Sequence, residues 1–320
     1  MFAPTEVIFA PTSRCNLFCA HCRVRRGPEE LEPGAAVRFL EGCAEAGVER
    51  VGFSGGEPFL RPDFLEAVIR AAVEEGLLFD RLMTNGTWAR DGAELRSTLG
   101  RIFDAGFDGR VGLSWDLWHG QGAGEAAAFV RACHEASGRR DSVELAWSRS
   151  KGDGDLAARF RVLADALGGA LTLEGGEPAA IVDAPGAGPG PDAADGEALS
   201  VPIVLTPYSA GADEDAWGGA EWFVDDFCEG PGQVLYVHPD GSVAPCCGFA
   251  NENPELILGR MEEGATALIA RAAEKPRVAT CYGKGLGRQR EEMEAAGFRF
   301  PGKTADQCFF CDWLCARERG

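Results

Sequence analysis

Three cysteines stand close together near the start of the chain, in the pattern C-x3-C-x2-C. They are Cys15, Cys19 and Cys22, and they follow a short apolar segment. Thiolates hold iron–sulfur clusters, usually four thiolates to a cluster. Three on one loop can hold three irons of a 4Fe–4S cluster and leave the fourth open, as a catalytic metal site requires. A zinc site is the alternative, but zinc sites prefer C-x2-C pairs, and His21 is poorly placed as a fourth ligand.

A second motif, Gly55-Gly56-Glu57-Pro58, follows the second predicted strand. Two glycines after a strand let the backbone approach a ligand closely. Glu57 adds a hydrogen-bond acceptor. The same four letters recur at 175–178, and we interpret that copy as a loop.

Seven further cysteines are concentrated in the C-terminal third of the chain. They are Cys228, Cys246, Cys247, Cys281, Cys308, Cys311 and Cys315. A Pro-Asp-Gly turn at 239–241, between short apolar segments at 234–237 and 242–244, predicts a hairpin. The hairpin would return Cys246 toward Cys228. The later C-x2-C pair supplies two more thiolates, and four close a cluster.

The first two motifs, in this order, resemble the radical S-adenosylmethionine (radical SAM) superfamily. The resemblance implies that Cys15, Cys19 and Cys22 bind an open 4Fe–4S cluster. S-adenosylmethionine would then chelate the unique iron through its amino and carboxylate groups. Reductive cleavage would give methionine and a 5′-deoxyadenosyl radical, which abstracts hydrogen from a substrate carbon. A flavodoxin or ferredoxin-type protein is the expected reductant.

The resemblance also assigns the other contacts of S-adenosylmethionine. The segment Gly55, Gly56, Glu57 and Pro58 would hold the amino group. His21 stands where the family usually has an aromatic residue near the adenine. The remaining candidates are Asn85 in the Thr-Asn-Gly that ends the third strand, Ser114 and Asp116 for the ribose, and Ser148 and Arg149 for the carboxylate.

The C-terminal cysteines resemble the SPASM and twitch extensions of the same superfamily. Twitch holds one auxiliary 4Fe–4S cluster and SPASM holds two. The one-cluster pattern fits Cys228, Cys246, Cys308 and Cys311, and Cys315 competes with the last two as a ligand. The SPASM run C-x2-C-x5-C-x3-C is present only as C-x2-C-x3-C. We therefore predict at least one auxiliary cluster, with two clusters or a zinc site as alternatives.

Short apolar strands alternate with amphipathic helices over residues 1–175. We predict strands at Val7–Ala10, Arg50–Phe53, Arg81–Thr84, Arg110–Ser114, Val143–Trp147 and Ala170–Leu173, and helices near 34–46, 63–76, 91–105, 123–137 and 154–167. This alternation predicts parallel βαβ units. Six such units resemble a partial TIM barrel of (β/α)6 type, an α/β fold with its chemistry at the C-terminal ends of the strands. Cys43 and Cys133 fall on apolar helix stripes and are expected in the core.

The chain is predicted to contain two parts. Residues 184–200 are rich in Gly, Pro, Ala and Asp, which is typical of a linker. We therefore predict a radical SAM partial barrel at 1–183 and a small Cys-rich auxiliary-cluster domain at 201–320.

The composition is strongly acidic. Lys and Arg number 31 against 50 Asp and Glu, a net charge of −19. That charge argues against nucleic acid or anionic membrane as the main partner. No apolar run approaches the ~20 residues of a membrane helix, and the N-terminus lacks the features of a secretory signal, so a cytoplasmic protein is expected.

The predicted substrate is a small molecule or a peptide, and the predicted chemistry is oxidation or cross-linking aided by the auxiliary cluster. A redox-neutral epimerase or rearrangement enzyme, with a structural auxiliary cluster, is the first alternative. A non-catalytic iron–sulfur electron carrier is the second. A carrier needs neither an open cluster nor a Gly-Gly-Glu-Pro strand end.

Overall fold

The computed structural model describes residues 2–150, 152–185, 198–206, 216–224 and 233–317. Within these ranges the strands are β1 (Glu6–Phe9), β2 (Arg50–Phe53), β3 (Leu78–Thr84), β4 (Arg110–Ser114), β5 (Val143–Ser148), β6 (Gly169–Glu174), β7 (Glu177–Asp183), β8 (Ser200–Thr206), β9 (Val234–Val237), β10 (Ser242–Ala244) and β11 (Gly259–Arg260). The α-helices are α1 (Pro33–Glu45), α2 (Pro62–Glu74), α3 (Gly92–Asp104), α4 (Ala123–Ser137), α5 (Leu156–Leu167), α6 (Ala265–Glu274), α7 (Pro276–Ala279), α8 (Leu286–Ala295) and α9 (Gln307–Arg317).

The strands form one sheet in the order β11-β10-β9-β1-β2-β3-β4-β5-β8-β7-β6. From β9 to β8 every neighbouring pair is parallel. Antiparallel strands extend the sheet at both edges. Each of β1 to β5 is followed by its helix, which confirms the predicted α/β partial barrel. The C-terminal ends of these strands therefore lie along one edge, where the loops can meet.

Local sequence accounts for the individual elements. Strands β1, β2 and β4 bury one face in the core, with Phe9, Phe53 and Leu113 at 1% exposure or less. The Asp91 side chain accepts hydrogen bonds from the backbone N–H of Ala93 and of Glu94, and so caps α3 at its start. The predicted core positions of Cys43 and Cys133 are confirmed, since both are fully buried.

The sixth parallel strand differs from the prediction. A strand is present at Gly169–Glu174, but it pairs antiparallel with β7 at the edge of the sheet. Ser200–Thr206 pairs parallel with β5 instead and takes the sixth position. Apolar content identified the strand at 169–174 but carries no information on its direction. Gly175 and Gly176 of the second Gly-Gly-Glu-Pro copy form the turn of this hairpin, whereas Glu177 and Pro178 belong to β7, so only the glycine half of the copy is the predicted loop.

The C-terminal region joins the barrel through the predicted hairpin. β9 and β10 pair antiparallel around a turn that ends at Gly241, whose φ of +84° favours glycine. β9 then pairs parallel with β1. A separate aromatic cluster that includes Trp217, Trp222 and Phe310 packs around α9. The division at 184–200 stays a prediction, and β8, on its C-terminal side, belongs to the parallel sheet. Among the described residues, no helix has both the length and the apolar character needed to cross a membrane.

Candidate active site

The loop between β1 and α1 carries the three N-terminal cysteines and lies directly against the Gly-Gly-Glu-Pro segment. The backbone N–H of Gly56 donates to the Thr12 carbonyl at 3.0 Å, and that of Glu57 donates to the Arg14 carbonyl at 2.8 Å. Gly55 has a φ of +114°, and a Cβ on Gly56 would lie 2.1 Å from the Arg14 carbonyl oxygen. Both positions therefore require glycine, because the cysteine loop packs on their backbone.

The three thiols lie on the inner side of this loop and influence one another. Cys15 and Cys19 are half-buried and Cys22 is exposed. Burial raises the pKa of Cys19, and the neighbouring Cys15 and Cys22 thiolates raise it further. Three thiolates that repel one another are relieved by a bound cationic metal centre. The donor set therefore fits an iron–sulfur cluster.

A cavity beside the triad brings many of the predicted residues together. It is lined by Cys15, Leu17, Cys19, His21, Cys22, Arg26, Ser54, Gly55, Gly56, Pro58, Met83, Thr84, Asn85, Ser114 and His119. The lining thus comes from the cysteine loop and the C-terminal ends of β2, β3 and β4. Parallel strands end at the same edge of a sheet, which explains how segments far apart in sequence meet here.

The Asn85 side chain lines the cavity and also contacts the cysteine loop. Its side-chain N–H donates to the Cys15 Sγ at 3.5 Å and to the Asn16 side-chain oxygen at 2.9 Å. The Asn16 side chain in turn donates to the Thr87 carbonyl at 3.0 Å. These bonds tie the end of β3 to the cysteine loop. Hydrogen bonds to a ligating sulfur are a recognised way to tune a cluster.

The Glu57 side chain is fully buried and faces the protein interior. Its carboxylate accepts hydrogen bonds from the Thr84 hydroxyl at 2.7 Å, the Asn85 backbone N–H at 2.9 Å and the Phe59 backbone N–H at 3.2 Å. Burial raises the pKa of Glu57 to about 7, and these bonds oppose the rise. The Glu57 carboxylate thus fixes this segment against β3. The contact of Gly55, Gly56, Glu57 and Pro58 with the amino group of S-adenosylmethionine stays a prediction.

Replacing Glu57 with alanine is expected to lower the free energy of unfolding by about 3 kcal/mol, because three buried donors lose their acceptor. Binding of S-adenosylmethionine should weaken as well, because the Gly55–Pro58 segment loses its anchor. Thermal unfolding of the apo-protein and equilibrium binding measure the two effects. Glu125→Ala is the matched control, because it removes the exposed hydrogen bond that the Glu125 carboxylate accepts from the Gly122 backbone N–H at the start of α4. Weakened binding with unchanged stability would instead make Glu57 a direct ligand contact.

Asp116 and His119 form a pair at the end of β4. The Asp116 carboxylate is buried and lies 2.7 Å from His119 Nδ1. It also accepts the backbone N–H of Trp118 at 2.9 Å and that of Ser148 at 3.4 Å. Burial alone would raise the pKa of Asp116, but His119, His21 and the Ser148 backbone N–H together outweigh it and the pKa is lowered. The Asp116 carboxylate is thus already hydrogen-bonded to His119, and its predicted contact with the ribose stays a prediction. Ser114, the other ribose candidate, lines the cavity.

His21 lies beside this pair. Its ring centroid is 5.4 Å from that of His119 and 5.3 Å from that of Trp118. Burial lowers the pKa of His21 to about 4, so its ring is neutral near pH 7. A neutral ring packed among aromatic groups is consistent with the predicted adenine contact.

Ser148 and Arg149 lie away from the lining of this cavity among the described residues. The Arg149 guanidinium forms a salt bridge with Glu177 on β7. A different arginine, Arg26, lines the cavity, and its guanidinium donates to the Cys15 carbonyl at 3.4 Å. Sequence reasoning did not select Arg26, although its position four residues after Cys22 was a usable signal. Ser148 and Arg149 as carboxylate contacts stay a prediction.

The C-terminal cysteines form a second site. Cys246 follows β10, and the backbone N–H of Gly248 donates to its Sγ at 3.2 Å. A Cβ on Gly248 would lie 2.9 Å from the Cys308 Sγ and 3.5 Å from the Cys246 Sγ, so glycine leaves room for both sulfurs. On α9, Cys308, Cys311 and Cys315 follow at i, i+3 and i+7, which places them on one face of the helix.

Cys281 lies beside these cysteines, although sequence reasoning did not select it as a metal ligand and named it, with Cys247 and Cys315, only as a hydrogen donor for a redox-neutral reaction. Its Sγ lies 3.8 Å from the Cys311 Sγ, and both residues line an apolar cavity with Cys246 and Cys308. The pKa of Cys311 is raised well above its usual value, first by the Cys281 contact and also by burial. Burial and neighbouring cysteines raise the pKa of Cys246 in the same way. Thiols in such a setting become thiolates when a metal binds. The predicted ligand Cys228 lies outside the described residues.

Comparisons with known proteins match the N-terminal part of this chain to a family. Residues 9–119 match the model of the Radical SAM superfamily. The probable GTP 3',8-cyclase of Methanopyrus kandleri is 40% identical over 114 residues, which cover 35% of this chain and 34% of that protein. The PqqA peptide cyclase of Methylorubrum populi is 38% identical over 117 residues, covering 33% of this chain and 29% of that protein. The solved structure of BtrN with AdoMet and 2-DOIA is similar at a TM-score of 0.48 and 15% identity, covering 95% of this chain and 96% of that one.

The matched segment contains the cysteine triad, the Gly-Gly-Glu-Pro segment and the end of β4. The chain therefore carries a radical SAM domain, followed by a Cys-rich C-terminal region. The aligned part spans about a third of the length of the curated relatives it matches.

Proposed function

We propose that this protein is a radical SAM enzyme that cleaves S-adenosylmethionine reductively and abstracts hydrogen from a substrate carbon. One observation carries the proposal: three thiols, a double-glycine backbone and the polar ends of β3 and β4 line a single cavity. An electron carrier would need the thiols but not the cavity. The bound cluster and S-adenosylmethionine would together supply a 5′-deoxyadenosyl radical.

Each part of the site has a role in this proposal. Cys15, Cys19 and Cys22 would hold the cluster, and Asn85 would donate to a ligating sulfur. The backbone at Gly55 and Gly56 would bind the amino group, and His21 would lie near the adenine. The cysteine loop and the Gly-Gly segment are joined by two backbone hydrogen bonds, so cluster and cofactor would be held at one fixed separation.

His119 is the group best placed to act on the substrate. It lines the cavity, and the buried Asp116 carboxylate fixes its ring at Nδ1. An imidazole oriented by a buried carboxylate is a common arrangement for proton transfer. In an oxidation, His119 would accept the proton that the substrate radical loses.

We propose a second iron–sulfur cluster at the C-terminal cysteines, which would take up the electron that such an oxidation releases. The substrate would be a small molecule or a peptide. The relatives include a protein named as a peptide cyclase and one named as a probable GTP cyclase, so both classes are represented. A redox-neutral epimerase or rearrangement enzyme is the alternative if this second cluster proves structural.

The proposal is tested by incubating anaerobically reconstituted protein with S-adenosylmethionine and dithionite. Formation of 5′-deoxyadenosine, dependent on both iron and reductant, is the expected result. Protein that carries iron but gives no 5′-deoxyadenosine would favour the electron carrier.

The fourth ligand of the second cluster can be assigned by comparing two single variants. The resemblance to twitch selects Cys228, so Cys228→Ser should lower iron from about eight to about four atoms per chain. Cys281→Ser should keep about eight, because Cys281 would then be a neighbouring thiol. The reverse pattern would assign Cys281, which already lines the cavity with Cys246, Cys308 and Cys311. Iron analysis and the visible absorption of the clusters measure the outcome.

A further inference from the structure

The outer side of the cysteine loop has a charge opposite to that of the chain as a whole. Between Pro11 and Gly27 the sequence contains four arginines and no acidic residue, in a chain of net charge −19. All four, Arg14, Arg23, Arg25 and Arg26, are exposed. We call residues 14–26 the arginine loop.

The acidic partners of the arginine loop are less exposed than the arginines. Arg25 pairs with Glu252 at 3.1 Å, and the side chains are 75% and 27% exposed, respectively. Arg14 pairs with Glu30, with side chains 55% and 29% exposed. In both pairs the guanidinium is therefore more exposed than its carboxylate partner. A protein that approaches these pairs would meet the guanidinium groups first.

An exposed aromatic ring stands at the centre of the arginine loop. Phe18 is 88% exposed, the most exposed of the large hydrophobic side chains among the described residues. The Arg26 guanidinium lies 4.6 Å from the centre of its ring. Aromatic and arginine side chains are the residues that most often dominate binding energy at protein interfaces. An exposed aromatic ring in contact with one arginine and beside another is thus suited to an acidic protein partner.

The arginine loop separates two cavities that share lining residues. A shallow outer cavity is lined by Arg14, Cys15, Phe18 and Arg26, and the inner cavity beside the cysteine triad is lined by Cys15 and Arg26 too. A protein seated on the outer surface would therefore be one side chain away from a proposed cluster ligand. Cys22 is itself exposed.

We infer that the arginine loop is the docking surface for the electron donor, a small acidic one-electron carrier protein. This inference rests on the proposed function, because reductive cleavage consumes one electron that must come from outside. The carrier loses one electron and the cluster at Cys15, Cys19 and Cys22 gains it. Opposite charges would speed the encounter, which is the usual basis of brief redox complexes with small interfaces.

The test compares two reductants with one set of variants. The triple variant Phe18→Ala, Arg23→Glu, Arg25→Glu changes only outward groups that do not line the inner cavity. Arg90→Glu together with Arg288→Glu is the matched control, since both arginines are exposed and each pairs with a glutamate, as Arg25 does. The holoenzyme is assayed for 5′-deoxyadenosine with reduced flavodoxin and, separately, with dithionite. Binding of flavodoxin is also measured directly at several salt concentrations.

We expect the triple variant to bind flavodoxin at least about tenfold more weakly and to lose most of the salt dependence, since surface charges act mainly on encounter. Its flavodoxin-driven rate should fall in parallel, and its dithionite-driven rate should stay within about twofold of the wild type. The control variant should match the wild type in every assay. Unchanged flavodoxin binding in the triple variant, or an equal loss in the control, would overturn the inference.

Two further outcomes are distinguishable. A triple variant that keeps flavodoxin binding but loses turnover of an acidic peptide substrate would make the arginine loop a substrate surface, against the inference. Wild-type protein that forms no 5′-deoxyadenosine with dithionite would refute the proposed function. The direct binding measurement would still decide whether the acidic carrier docks on this surface.

Discussion

Replacing Cys15, Cys19 and Cys22 together by alanine is expected to lower the iron content of reconstituted protein from about eight to about four atoms per chain. Formation of 5′-deoxyadenosine should fall to the background without enzyme. The reason is local: the inner cavity keeps its glycine backbone and its polar strand ends but loses all three thiolates. Iron analysis and chromatography of the nucleoside products measure the two effects.

The matched control for this triple variant is the pair of core cysteines. Cys43 and Cys133 are fully buried in helices and lie in the main hydrophobic cluster. Replacing both by alanine removes thiols without touching either cysteine site, so iron content and 5′-deoxyadenosine formation should be retained in the folded protein. An iron content that does not change in the triple variant would end the assignment of the cluster to this loop.

The features that the sequence predicted well are the ones carried by neighbouring residues. The C-x3-C-x2-C spacing and the double glycine are local patterns whose chemistry is readable without a fold. The five βα units were predicted because helix and strand periodicities differ, and the bounds of β2 and β4 agree fully. The hairpin of β9 and β10 was signalled by its Pro-Asp-Gly turn.

The features that the sequence could not supply depend on tertiary contacts. Asp116 is hydrogen-bonded to His119, and the Glu57 carboxylate accepts a hydrogen bond from Thr84. Both contacts follow from the packing of strand ends against one another. The approach of Cys281 to Cys311 joins residues 30 positions apart on different elements. Sequence reasoning identified each residue but not its partner within the protein, and the ligand contacts of Glu57 and Asp116 stay predictions.

One missed feature did leave a local signal. Gly175 and Gly176 both have positive φ, at +58° and +90°, and they connect β6 to β7. Two glycines between apolar strands are a signature of a tight antiparallel hairpin. Reading them as a turn would have predicted the antiparallel direction of β6 and moved the search for the sixth parallel strand to β8.

Removing the C-terminal cluster should separate cleavage of S-adenosylmethionine from formation of the normal product. The double variant Cys308→Ala, Cys311→Ala is expected to form some 5′-deoxyadenosine, because the N-terminal triad and its cavity come from other elements. It should lose at least about a hundredfold in product formation, if the second cluster accepts the electron released by the substrate radical. Product and 5′-deoxyadenosine are quantified together, with iron falling from about eight to about four.

The structure identifies the main complication of this experiment and its remedy. Cys311 is buried in the aromatic cluster around α9, and metal binding there is linked to folding. The variant must therefore retain its circular dichroism and its binding of S-adenosylmethionine. The C-terminal region is joined to the barrel by the pairing of β9 with β1, whereas the substituted cysteines lie on α9. We therefore expect the barrel to survive loss of the second cluster.

A folded variant that makes the normal product at the wild-type rate would exclude an essential redox role. The second cluster would then be structural, and a redox-neutral epimerisation or rearrangement would become the favoured reaction, with a nearby thiol such as Cys281 as its hydrogen donor.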